Sequence, residues 1–268
     1  MNGVHRRNGS PNTTDARPPW RIGTRLHAGW NRLVGGYAGI ADPARHLAQS
    51  DAQGWRLVAS CALPAVEAFS QAQLEPGVPN CTLVSIVRCL LYLKHHGPAP
   101  ETERAALYEQ VRRVGIRHGY APDKTGWFHD LFVYSPFVIA RMVTESAGAF
   151  AAETAADFAT AEAAAEFTTE ARLPAIRGRS RYVRRFATIR REVDAGRPVL
   201  LNLSFGDYPG HTVTITGYCI YRSVRGRKRV FLRTVDGWSD RPSYIDWHRA
   251  KRQPSSVTCF CMQPNHTS

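Results

Sequence analysis

The longest apolar stretch of the chain follows Asn80. Leu83, Val84, Val87, Cys89, Leu90, Leu91 and Leu93 make a segment apolar on nearly all sides, the pattern of a helix buried in the middle of a domain. Asn80 is a good helix N-cap, and Gly97 and Pro98 end the run. From Glu101 to His118 the spacing of Ala105, Leu107, Val111, Val114 and Ile116 predicts an amphipathic helix. Its acids come early and its arginines late, which complements the helix dipole, and Gly119 stops it. A loop follows over 121–128, then a helix over 136–146. The Ala-, Thr- and Glu-rich residues 147–171 read as an exposed helix or an ordered linker. Tyr182, Phe186, Ile189 and Val193 predict an amphipathic helix over 181–195, closed by Gly196.

The pattern then changes to strands: 199–203, the β-branched run 212–221, a turn at 225–228 around Gly226, and 229–235. Two more short strands are expected at 243–247 and 257–262. Helices first and an antiparallel sheet second is an α+β layout. Residues 1–20 have the composition of a disordered tail. Residues 21–73, with Trp30, Tyr37 and Trp55 but poor periodicity, read as an N-terminal extension packed on a main domain spanning 74–268.

Composition narrows the function. The chain has 268 residues, 43% of them hydrophobic, enough for a sizeable core. The formal charge of +13 would suit acidic peptides, anionic lipid or nucleic acid. The basic clusters at 177–185 and 222–229 lack interleaved aromatics, so they read as solvated faces rather than a nucleic-acid site. Six cysteines are too few for a disulfide framework in a chain this long, and no pair has zinc-ligand spacing. Cys259 and Cys261 read as buried thiols, and no metal or other cofactor is expected. There is no signal-peptide pattern and no run of about 18 apolar residues, so the expected location is cytoplasmic by default. The residues say nothing of oligomeric state.

Three residues carry candidate chemistry. Cys81 sits at the entrance of the buried helix, where unpaired N–H groups and the dipole favour a thiolate. His211 follows Gly210 and leads into the strand Thr212–Thr216, a suitable place for a general base. Asp236 closes the next strand, where a carboxylate would orient the imidazole, with Trp238 covering the pair. An oxyanion hole would use the Cys81 N–H and one further donor. Gln73 is the preferred candidate, with Gln71 and, more weakly, Asn80 behind it.

The segments Val78–Leu83, Arg197–Asn202, His211–Tyr218 and Val235–Ser239 running on to Tyr244-Ile245-Asp246 resemble, in order, the bacterial peptidase family numbered 39. The likeness is to its stand-alone "39-like" branch within the papain-like superfamily, over roughly residues 70–250. The resemblance implies a papain-like fold and a thiol site at Cys81, His211 and Asp236 acting on a peptide or protein substrate. It also implies an oxyanion glutamine about six residues before the cysteine, where this chain has Glu75. An acyltransferase or deamidase with the same site, or an inactive binding module of the same fold, are the competing readings.

Overall fold

The computed structural model describes residues 24–50, 54–120, 135–160, 175–182 and 185–263. The expectations for the 1–20 tail and the 121–128 loop fall outside them. In chain order come α1 (Thr24–Val34), α2 (Pro43–Ser50), β1 (Trp55–Ala62), α3 (Cys81–His95), α4 (Glu101–Arg117) and α5 (Pro136–Thr160). Then follow β2 (Ile176–Tyr182), α6 (Phe186–Asp194), β3 (Val199–Leu203), β4 (His211–Ser223), β5 (Lys228–Val235), β6 (Ser243–Asp246), α7 (Trp247–Ala250) and β7 (Ser255–Met262). This is an α+β papain-like fold, a helical half and an antiparallel sheet.

The seven strands form one sheet; six run in the order β2-β7-β3-β4-β5-β6, and β1 pairs with β4 off that path. The long β4 is its spine: β3 pairs along its first half, β1 along its second, and β5 along the other edge. Residues 55–62, expected only as part of an extension, are therefore a strand of the sheet. Gly217 permits this, because a Cβ there would lie 2.5 Å from the Cys61 carbonyl oxygen.

Helix α3 is buried from Cys81 to Leu93. Its polar positions face the sheet. Thr82 Oγ1 and Thr212 Oγ1 are 2.7 Å apart, and Ser85 donates to the Thr212 carbonyl at 3.4 Å. Leu83, Val84, Ile86, Val87 and Leu90 join Val111, Ile139, Met142, Val213 and Ile215 in the main core. The helix ends at His96, whose φ of 50° puts it in the left-handed region.

The helix expected over 181–195 is shorter, and its first residues belong to β2 instead. Arg177, Arg179 and Arg181 point to one side of β2, with Gly178 and Ser180 on the other. Small residues take the inward positions because α5 lies directly on them. A Cβ on Gly178 would come within 2.2 Å of the Ala140 carbonyl oxygen, and Gly178 N–H bonds Thr144 Oγ1 at 2.9 Å. Helix α5 runs past the expected end at 146, and Ala147 and Phe150 are buried core rather than exposed scaffold.

Candidate active site

Cys81 is the first residue of α3, so its sulfur lies where the helix N–H groups lack intrahelical partners. The Asn80 side chain does not cap the helix. It is fully buried and donates through Nδ2 to the Tyr108 hydroxyl at 2.8 Å and to the Gln71 carbonyl at 3.4 Å. It thereby fixes the chain on either side of the thiol.

His211 opens β4 and is equally buried. The loop before it is stitched to the N-terminal part of the chain. Asp207 accepts the backbone N–H groups of Gly36, Tyr37 and Ala38 at 2.8, 2.5 and 2.7 Å. The Tyr37 hydroxyl donates to the Phe205 carbonyl and accepts from Tyr208 N–H. Gly206 has φ +85°, and a Cβ there would meet the Tyr37 ring at 2.3 Å, so only glycine fits.

The thiol and imidazole lie close enough to shift each other's protonation. Burial pushes the Cys81 thiol up. The His211 charge, its hydrogen bond, the Thr212 N–H and the Thr82 hydroxyl outweigh this and hold it below the ordinary thiol value. Burial likewise pushes His211 down. Cys81, the Asp236 backbone carbonyl and the charge of the Asp236 carboxylate outweigh it and raise the imidazole. Cys89, two turns along the same helix, shows the contrast: burial dominates and drives its thiol far upward.

Asp236 reaches His211 through its main chain. His211 Nε2 lies 2.7 Å from the Asp236 carbonyl oxygen. A carbonyl only accepts, so Nε2 carries the ring proton and the Nδ1 lone pair is left for the thiol. The Asp236 carboxylate, expected to orient the imidazole, is used elsewhere. Its Oδ2 accepts from the Tyr208 hydroxyl at 2.8 Å, and its Oδ1 from the N–H groups of Trp238 and Ser239 at 3.0 and 3.1 Å. It shapes the turn that presents its own carbonyl. Trp238 stacks on the imidazole at 4.1 Å between centroids, and Tyr208 packs edge-on against Trp238 at 5.0 Å.

Two further residues were not singled out by the sequence reading. Arg88, two turns after Cys81, is 1% exposed. It donates to the Glu67 carbonyl (3.1 Å), the Phe69 carbonyl (2.8 Å) and Thr214 Oγ1 (3.0 Å). Burial lowers its pKa to about 10, with Cys89, Asp236 and Glu67 opposing, so it remains a cation at neutral pH. Its seven-residue separation from Cys81 in a buried helix was the available signal. Tyr208, in the loop before His211, is the other; its hydroxyl donates to Asp236 Oδ2.

Of the oxyanion candidates, Gln73 ends a short 3-10 turn (Gln71–Gln73) and is exposed. Gln71 lies against the site instead. Its N–H donates to the Gly237 carbonyl at 2.7 Å, and its Oε1 is buried without a partner, about 3.8 Å from where a Gly237 Cβ would be. Glu75 is held by the Tyr108 hydroxyl at 2.5 Å and lies 3.6 Å from Arg112.

All six cysteines are free thiols. Among the described residues, no group of three or more His, Cys, Asp or Glu could hold a metal ion, and no helix is long and apolar enough to cross a membrane.

A thiol heading the central helix, beside an imidazole on an antiparallel sheet, is the arrangement of papain-like cysteine peptidases. The family description "Peptidase_C39 like family" matches residues 65–232, more than half of the chain, and the protein belongs to that family. Cys81, Arg88 and His211 fall inside the match, and Asp236 lies just beyond it. No curated protein and no solved structure gave a match.

Proposed function

We propose that the protein is a thiol hydrolase that cleaves peptide or isopeptide bonds, with Cys81 as nucleophile and His211 as general base and acid. The observation that carries this reading is the buried thiol–imidazole pair, its thiol lowered and its imidazole raised. The Cys81 thiolate attacks the amide carbon and forms a C–S bond, while the carbonyl electrons move onto oxygen. The Cys81 N–H at the helix start and the Gln71 side-chain amide are suited to stabilise that oxyanion, with the buried Gln71 amide oriented so that its nitrogen faces the oxygen. Collapse of the intermediate breaks the C–N bond, and the imidazolium gives its proton to the leaving amine. His211 then takes a proton from water, which hydrolyses the thioester and restores the thiol.

Asp236 holds the tautomer through its carbonyl, and Trp238 keeps water from that bond. Hydrolysis of a peptide library by the native chain, but not by Cys81→Ala, tests the reading. A Cys81 that iodoacetamide alkylates no faster than Cys89 would leave the family fold as a binding module instead.

A further inference from the structure

We propose that a basic basin at one end of the sheet binds acidic side chains of the peptide substrate. The inference rests on the hydrolase reading and supplies its substrate class. The basin is a cavity of about 540 Å³ bounded by the end of β2, the start of α6 and the approach to β7. Arg181, Arg185, Gln253 and the hydroxyl-bearing Tyr182, Thr188 and Ser255 line it, and no carboxylate does.

Its two arginines lack ion-pair partners among the described residues. Their neighbours do not: Arg190 pairs with Asp194, and Arg191 and Arg197 with Glu192. Gln253 is 2% exposed. Its Oε1 accepts the Phe205 N–H at 2.6 Å, while Nε2 is buried with no hydrogen-bond partner. That nitrogen faces the Tyr37 hydroxyl, which donates to the Phe205 carbonyl and also accepts from Tyr208 N–H. Two guanidinium forks and the hydroxyls of Tyr182, Thr188 and Ser255 make a set that a carboxylate satisfies and a cation does not.

The register places this set near the thiol. Leu203 pairs with His211 on one side and Ser255 on the other, so basin and imidazole share one end of the sheet, two strand spacings or about 10 Å apart. An extended peptide covers that in about three residues. Gln253 also holds Phe205 in the loop leading to His211, so one residue joins the basin's wall to the support of the base.

Binding to Cys81→Ala, which needs no turnover, tests the proposal. Fluorescein-labelled decapeptide pools carry Asp and Glu, or Asn and Gln, at the same positions. The acidic pool should bind about ten-fold tighter at low salt, and the advantage should shrink in 0.5 M NaCl. Adding Arg181→Gln with Arg185→Gln should erase it. In the otherwise native chain, the same pair of exchanges should leave Cys81 alkylation and cleavage of uncharged peptides unchanged. Equal affinity of Cys81→Ala for both pools overturns the proposal. So does displacement of the acidic pool by inorganic phosphate at the peptide's own concentration. An arginine-dependent acidic preference in a chain that cleaves nothing supports the basin and removes the hydrolase reading instead.

Discussion

Replacing Arg88 tests whether one buried cation holds the parts of the site together. Its guanidinium joins three segments: α3, which carries Cys81; the 67–71 approach, which carries Gln71; and β4, which carries His211. Arg88→Met keeps much of the volume but strands the carbonyls of Glu67 and Phe69 and the hydroxyl of Thr214. A hydrogen bond from a charged donor is worth about 1.5–3 kcal/mol. Three of them, less the cost of desolvating the guanidinium, put the loss at about 3–5 kcal/mol, a large share of a typical 5–15 kcal/mol stability. Urea unfolding followed by tryptophan fluorescence should show a midpoint lower by roughly 1–2 M, taking a slope of about 2–3 kcal/mol/M. Arg88→Lys keeps the charge without the fork and should fall between. In buffer where both variants are folded, Cys81 alkylation should slow in the order native, Lys, Met. A Met variant with the native midpoint and alkylation rate would refute the reasoning.

The thiol–imidazole pair makes a prediction in pH. Cys81 lies below its ordinary value, so thiolate forms as the pH rises through that lowered value, and iodoacetamide should react well below about pH 8.5. His211→Gln removes the opposing charge but leaves the burial, so the rise should move above about pH 8.5. Gln71→Ala should lower kcat about a hundred-fold or more with little change in KM, while exposed Gln73→Ala should match the native chain in a steady-state peptide assay. Asp236→Asn keeps the carbonyl that meets His211, so it should cost far less activity than His211→Ala in the same assay. Gly178→Ala forces a Cβ to 2.2 Å from the Ala140 oxygen and should lower the melting temperature by several degrees, with Cys81 alkylation unchanged at 20 °C.

Elements with an apolar signature were legible in the residues. Helix α3 announced itself by being apolar on nearly all sides, β4 by its β-branched run and β5 by its alternation. Strand β2 was not legible, because after Ile176 its inward positions are Gly178 and Ser180, small enough to admit α5 rather than apolar. Its arginines then merged with the start of α6 into one apparent helix. At the site, Cys81 and His211 were legible because each stands at the end of a strongly patterned element. The part played by Asp236 was not, since a main-chain carbonyl has no letter in the sequence. Gln71 and Gln73 differ only in how the turn between them folds. Counting residues back from the cysteine favoured the nearer one, which the turn leaves exposed.

The pairing of α3 with β4 also bears on the order of synthesis. The helix that carries the thiol is made about 130 residues before the strand that covers its polar face, as the Thr82–Thr212 contact records. Until β3 and β4 leave the ribosome, α3 has no sheet to bury against, and Cys81 has neither an imidazole nor the Thr212 N–H to lower its pKa. At about 5–20 residues per second, that interval lasts on the order of 6–26 seconds. During it the growing chain displays an apolar helix that is a natural binding stretch for a chaperone. The Cys81 side chain meanwhile stays an ordinary, mostly protonated thiol. Reactivity and burial therefore arrive together, late in translation, when the sheet closes over the helix.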